Sequence, residues 1–451
     1  MAANRRLPLP ACLAAACLAV AFALAPAAPA VAQFGGGFRQ VGGISIDAGG
    51  IVGNVEPGAL ESLARDRRAL LDGVALPAGD GGLRKVSLAA VVAAVREAGA
   101  SGKDLPPDVL LLGGLERITH VFVDPDRHDI VLAGPGGKPA VDARGDVVAA
   151  GSGRPLLHLE DLVVALRSVA GARAGGVQCS IDPTPEGLAR LRTYLGGQRT
   201  MGPDAAAVFR GMEDALGPQV VRVGGVPAGS RFARVLVAAD YRMKRIGMGL
   251  EPSGVAGLPS YLSMVPAGGK AASLPRFWLE AGYDPIARDA DELAWRISGR
   301  RMECLTESDA LAQGGVERGK GAEDPIARKW CAAMTAHYDE LADHQPIFAE
   351  LLNCVDLAVV AALVEGRQLA DRAGLDLQPL LAAPLPEYDV PRTVPTVATG
   401  MKRGSSWVLT ASGGVQFQPW EFVDRTVAAA DETAVRTTAL AAKPAGSWWW
   451  Q

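Results

Sequence analysis

The fold of this chain begins well after its first residue. Arg5 and Arg6 precede an apolar run from Ala11 to Ala25, Pro26 and Pro29 interrupt it, and Ala30-Val31-Ala32 supplies small residues before Gln33. That order of charge, short apolar stretch and small-x-small site is a secretory signal peptide, residues 1–32, with cleavage expected near Ala32. The run is shorter than the roughly 20 residues that a spanning helix needs. Pro8 occupies a place where a twin-arginine signal carries an apolar residue. The protein is therefore expected to be exported, to the periplasm or the exterior, where thiols can oxidise.

Removing the leader leaves 419 residues carrying 43 basic and 49 acidic side chains, a formal charge of −6. So long a chain exceeds one ordinary core, and two or more subdomains are expected. A mildly acidic surface is a poor match for nucleic acid, so no nucleic-acid partner is expected; a cell-envelope partner is compatible. Beyond the leader, the sequence is read as lacking a stretch of membrane-spanning length, and no cofactor motif stands out.

The pattern along the chain predicts an α+β fold: mixed sheets with packed helices, a helical hairpin and a C-terminal β-hairpin. The first subdomain, 33–175, holds helices at Leu60–Leu71 and Leu88–Ala98, the second capped by Ser87. Strands follow at Ile118–Val123 and Asp129–Ala133 around the turn Asp124-Pro125-Asp126-Arg127. The helix Asp161–Val169 is apolar nearly all round and is expected to be buried. In the second subdomain, 176–265, strands at Val177–Ile181 and Val220–Val223 alternate with helices opened by Thr184 and Ser230. The third, 266–425, contains a strand-like run Leu293–Thr306. Its apolar parity switches at Gly299, as at a β-bulge. Helices at Pro325–Leu341 and Pro346–Leu369 form the hairpin, and Trp407–Ala411 with Val415–Gln418 form a β-hairpin around Ser412-Gly413-Gly414. The tail, 426–451, is expected to be disordered despite Trp448-Trp449-Trp450.

Chemistry-bearing residues are sparse. Asp124, Asp126, His128 and Asp129 are better read as a turn than as a cation loop, since the Gly and Glu of a calcium loop are missing. His337, Glu340 and His344 share one side of a helix, but Trp330, Met334 and Leu341 follow the same stripe, so packing explains them and no metal site is expected. There is no G-x-S-x-G elbow, and Gly268-Gly269-Lys270 lacks the rest of a phosphate loop. The densest polar cluster is Asp240-Tyr241-Arg242-Met243-Lys244-Arg245, and Asp240, Tyr241, Arg242 and Lys244 are the candidate ligand-binding residues.

Four cysteines remain after the leader: Cys179, Cys304, Cys331 and Cys354. If the helical hairpin turns near Asp343, Cys331 and Cys354 lie at matching levels on facing apolar stripes. A Cys331–Cys354 disulfide is the expectation, with four buried thiols as the alternative.

Several segments resemble one family of secreted bacterial proteins. They are Leu112-Gly113-Gly114-Leu115-Glu116-Arg117-Ile118, Asp129-Ile130-Val131-Leu132-Ala133-Gly134-Pro135, and Gly153-Arg154-Pro155-Leu156-Leu157 leading to Asp161-Leu162-Val163-Val164-Ala165-Leu166-Arg167. Ala239-Asp240-Tyr241-Arg242-Met243-Lys244-Arg245 and Ser412-Gly413-Gly414-Val415 extend the likeness through most of residues 40–423. The family is domain-of-unknown-function family 1598, chiefly from planctomycete-type bacteria, and the chain departs from it at Gly136-Gly137-Lys138. The resemblance implies one member of a multiplied set of exported proteins and carries no activity or catalytic residue. Together, the residues point to a non-catalytic structural or binding component of the periplasm or cell envelope. An unfamiliar hydrolase using Asp240, Lys244 or the His337 region, and a small-molecule or peptide carrier, are the alternatives.

Overall fold

The computed structural model describes residues 43–79, 81–197, 205–266, 275–307, 310–312, 315–317, 324–398 and 411–451. The expected leader, the Gly268–Lys270 segment and most of the strand expected at 407–411 lie outside them. The fold is mixed α/β, with mixed and antiparallel sheets covered by helices.

In chain order, the elements that shape it are strand β1 (Arg84–Ser87), helix α1 (Leu88–Ser101), β2 (His120–Asp124), β3 (Asp129–Gly134) and α2 (Leu159–Gly175). Next come β4 (Val177–Asp182), β5 (Gln219–Gly224), α3 (Arg231–Gly247), β6 (Arg276–Glu280), β7 (Ile286–Arg288) and β8 (Ala294–Arg296). The chain closes with β9 (Glu303–Glu307), α4 (Pro325–Ala336), α5 (Pro346–Gly366), β10 (Thr393–Val394), β11 (Ser412–Phe417), β12 (Thr426–Ala428), α6 (Glu432–Ala441) and β13 (Trp449–Trp450).

Two large sheets organise the molecule. One has the order β9-β6-β11-β4-β5-β10 and the other β12-β7-β8-β2-β3-β1-β13. In each, one pair is parallel, β6 with β11 and β7 with β12, and the rest are antiparallel. The helix starts follow local chemistry. Ser87 Oγ accepts the Ala90 N–H at 3.2 Å, and Ser230 Oγ accepts the Ala233 N–H at 3.1 Å, so both serines cap as their sequence positions suggest.

Helix α5 is the centre of the core. It is long and apolar enough to cross a membrane, which the sequence reading missed, yet it is wholly buried inside the protein. Helices α2 and α3 pack against it, and α3 packs in turn on β4 and β11. One continuous apolar cluster runs from Ile44 to Val423.

Four local expectations are corrected. The parity switch in 293–306 is a change of sheet. β8 belongs to the seven-stranded sheet and β9 to the six-stranded one, and Gly299 turns between them at φ +100°. Any side chain there would meet the Asp284 amide nitrogen at 2.5 Å. Second, Ser412-Gly413-Gly414 opens strand β11 and does not form a hairpin turn. Inserted between β6 and β4, it has Gly413 at φ +107°, where a Cβ would lie 1.9 Å from the Phe277 carbonyl oxygen. Glycine is needed there because strand backbones approach where a Cβ would go.

Third, the first arm of the helical hairpin breaks at His337, where φ is −104° and ψ is 14°, and Tyr338–His344 continues as a separate helix. That short helix packs on α5, whereas α4 lies across β9. All four described cysteines are free; the Cys331 thiol interacts with that of Cys304 on β9, whereas Cys354 lies among Asp161, Arg231 and Glu350. Fourth, the tail is folded. Trp449 and Trp450 pair with Val86 and Lys85 of β1, the Ser87 N–H donates to the Trp448 carbonyl at 2.8 Å, and Lys443 reaches Asp129 at 3.0 Å. Trp449 and Trp450 extend the edge of that sheet, a role that length and composition did not reveal.

Candidate functional site

The dense polar cluster lies on the C-terminal half of α3, after the buried apolar run Val235–Ala239. Asp240 and Lys244, one turn apart, point into the core. The Lys244 ammonium donates to Asp240 at 2.9 Å and to the carbonyls of Ile181 and Gly413 at 2.8 and 3.1 Å. All three ammonium protons are thus used to tie α3 to β4 and β11. The second Asp240 oxygen is buried without a hydrogen-bond partner. Burial pushes the Asp240 carboxyl up to about 7, against the opposing pull of Lys244.

Tyr241 and Arg242 emerge on the other side. Arg242 pairs with Glu251 and donates to the Gly43 carbonyl at 2.9 Å, and Arg245 reaches the same Glu251 oxygen at 2.6 Å. Both guanidinium groups lie over the Tyr241 ring, at 5.9 and 5.4 Å. Asp240 and Lys244 therefore form an inner pair and Arg242 lies outside it, with Tyr241 bordering both, under the arginines and beside Lys244. A small pocket of about 40 Å³ lies next to Lys244, walled by Tyr241, Met248, Val394 and Val397.

Arg242 and Glu251 border a larger cavity of about 540 Å³. Its walls also include Asn54, Arg144, Asp146 and Gln345. The cavity lies where the N-terminal region, the end of α3 and the start of α5 meet. Behind it runs a buried chain of charges. Asp146 pairs with Arg67 at 3.5 Å, and Arg67 donates to the Gly145 carbonyl at 2.6 Å. Burial and the Glu350 carboxylate push Asp146 up to about 7, against Arg67. Glu350 pairs with Arg231 at 2.7 Å, and Arg231 also binds Asp161. Glu160 accepts from the Tyr388 hydroxyl at 2.8 Å. Burial disfavours the Arg231 cation, but Asp161, Glu350 and Glu160 outweigh it and raise its pKa. His158 is held well below its ordinary pKa by burial and by Arg231 and Arg67, so it is neutral.

Sequence reasoning missed this chain of charges. A signal was available: Glu350 and Asp356 are acids inside the otherwise apolar α5, and a buried acid requires a partner. Asp356 has three, Arg301 at 3.2 Å, Arg117 at 3.8 Å and the Tyr283 hydroxyl.

The clusters weighed for metal have structural partners. Asp124 caps the short turn Pro125–Arg127 and pairs with Arg127 at 2.9 Å. Asp129 accepts from Ser87 Oγ at 2.6 Å and from the Ala89 N–H at 2.9 Å, and His128 meets the Ala373 carbonyl at 3.1 Å. His337 pairs with Glu340 at 3.2 Å, while the His344 carbonyl accepts from Arg144. Among the described residues, no group of three or more His, Cys, Asp or Glu side chains is arranged to hold a metal ion.

No curated protein and no solved structure matches the chain. A family model does match, over residues 179–261. That segment begins within β4, contains the whole of α3 with Asp240, Tyr241, Arg242 and Lys244, and reaches Tyr261; the other family-like motifs lie outside it. Over residues 179–261 the chain is similar to the family described as protein of unknown function (DUF1598).

Proposed function

We propose that this is an exported, non-catalytic binding protein of the periplasm or cell envelope, and that a small polar molecule occupies the 540 Å³ cavity beside Arg242 and Asp146. The cavity carries the reading. Its volume falls in the range of small-molecule sites, and charged and amide groups from three stretches of chain converge on it. Ion pairs behind the wall hold Asp146 and Arg242 in place before any ligand arrives, which reduces the ordering cost of binding. Asp240 and Lys244, which a hydrolase would need in the open, instead support the non-catalytic reading, because they are enclosed between α3 and the sheet.

The test is a thermal-shift screen with neutral sugars, amino acids and small carboxylates, repeated on Arg144→Ala. Arg144 is exposed on the cavity wall, so its removal leaves the core intact. One chemical class is expected to raise the melting temperature of the parent protein and to lose at least tenfold in affinity with the variant. No shift from any class, or a shift indifferent to Arg144→Ala, refutes the assignment.

A further inference from the structure

We propose that Cys304 and Cys331 are a redox pair that closes into a disulfide, locking edge strand β9 to helix α4. This inference does not depend on what the polar cavity binds. Cys304 lies on β9, and α4, which carries Cys331, packs across that strand. The level at which they meet is fixed by Thr335, one turn beyond Cys331. Its hydroxyl accepts the Cys304 N–H at 2.8 Å and donates to the Cys304 carbonyl at 3.4 Å. The Cys331 thiol is near enough to the Cys304 thiol to help burial push its pKa up. Both belong to the wall of a second cavity of about 540 Å³, together with Trp278, Glu280 and Arg328, so a reagent has a route to sulfurs that are otherwise buried. Cys179 and Cys354 do not line that cavity. Cys179 is on β4 near Asp240 and Lys244, and Cys354 is on α5 near Asp161 and Arg231.

The oxidant is a second disulfide, in the cell an exported thiol–disulfide exchanger. One cysteine loses its proton and attacks a sulfur of that disulfide, forming a mixed disulfide and releasing one thiol. The other cysteine then loses its proton and attacks the first cysteine's sulfur, forming the Cys304–Cys331 bond and releasing the second thiol. Two protein thiols are oxidised, and the incoming disulfide is reduced by two electrons and two protons.

Oxidised glutathione is the probe. The reduced full chain is incubated with it, remaining thiols are alkylated, and tryptic peptides are mapped. Cys304 falls in peptide 302–318, and Cys331 shares peptide 330–367 with Cys354. The expected product is a crosslink between those two peptides that survives in Cys354→Ser, is lost in Cys304→Ser, and reverts with dithiothreitol, while Cys179 stays alkylatable. Persistent alkylation of both Cys304 and Cys331 in the native wild-type protein overturns the proposal. So does a bond between Cys331 and Cys354, or a glutathione adduct that never resolves. The wild-type map decides the question even if a variant fails to fold.

Discussion

Replacing Trp450 tests whether the C-terminal tail is part of the fold. The side chain is 3% exposed and packs with Phe122, Val131, Ala133, Ala294 and Ala439. Its indole N–H donates to the Ala439 carbonyl at 2.9 Å, and the Lys443 ammonium lies 5.2 Å from the ring centre. Trp450→Ala removes a buried aromatic, a change that costs about 3–5 kcal/mol in a rigid core, and it also removes a hydrogen bond worth about 1 kcal/mol. The loss has a ceiling, because the tail can detach while the rest stays folded, and beyond its own docking free energy nothing more is forfeited. A destabilisation of about 3 kcal/mol is therefore expected, with about 1 kcal/mol for Trp450→Phe, which keeps most of the buried area. Urea denaturation followed by far-ultraviolet circular dichroism gives the value. Limited trypsin digestion adds location, since Arg436 and Lys443 are engaged in the docked tail with Asp289 and Asp129. An unchanged urea midpoint together with unchanged cleavage would refute the docking argument, because a free tail loses nothing when its tryptophan goes.

Lys244→Met is expected to cost about 3–5 kcal/mol at pH 8, where Asp240 without its ammonium partner must either stay charged in the core or take a proton from a dilute supply, and less at pH 6, where protonation is easy; equal losses at the two pH values in urea titrations would contradict this. Stability should rise between about pH 8 and 6.5. Asp240 and Asp146, with pKa values raised from an ordinary 3.8 to about 7 in the folded protein, bind protons in the native state that the unfolded chain does not, so their stabilising share is present at low pH and lost as pH rises through 7. Below about 6.5 His158 opposes this, because only the unfolded chain protonates it; melting curves from pH 8 to 6 that fall steadily would overturn the assignment. Gly413→Ala should cost more than about 3 kcal/mol or abolish soluble expression, given φ of +107° and the Phe277 carbonyl 1.9 Å from the new Cβ; a melting temperature within a degree of the parent would refute it.

The parts legible in sequence are those set by local rules. Ser87 and Ser230 cap helices because a side-chain oxygen near an N-terminal turn has few better partners, and Asp124-Pro125 turns because its backbone preferences are intrinsic. The buried character of α2 is visible in its apolar circumference. What stayed hidden depends on partners remote in the chain. The Gly299 parity switch looks the same whether a strand bulges or moves to another sheet, and only the arrival of β2 beside β8 and β6 beside β9 decides. Likewise, Cys331 and Cys354 match in level only if their helices run straight, and the break at His337 redirects the first of them. In the candidate site, the sequence singles out the α3 cluster but not its division into a core pair and a cavity wall. Lys244 points inward because two carbonyls, on Ile181 and Gly413, are there to receive it.

The placement of buried charge explains why the candidate cavity can be preorganised at all. Apolar packing fixes how close elements come, but it is tolerant of sliding, since one aliphatic contact resembles another. Ion pairs with carbonyl and carboxylate partners are directional. Arg231 binds acids from both α2 and α5, Asp356 of α5 binds Arg301 and Arg117, and Lys244 joins α3 to two strands. Each of these links crosses an interface between elements far apart in sequence. Such pairs add little net stability over apolar replacements of the same shape, but breaking one partner leaves a charge stranded. Their effect here is therefore on register: an arrangement in which α5 slid by one turn would strand Glu350 and Asp356 together. The cavity beside Asp146 inherits that constraint, because Arg67, Glu350 and Arg231 connect its wall to the central helix. Replacing Arg231 and its three acids with apolar residues of matching volume would then preserve or raise global stability while loosening the cavity, so ligand affinity should fall more than the melting temperature. Equal loss of both would mean that the charges act only as packing.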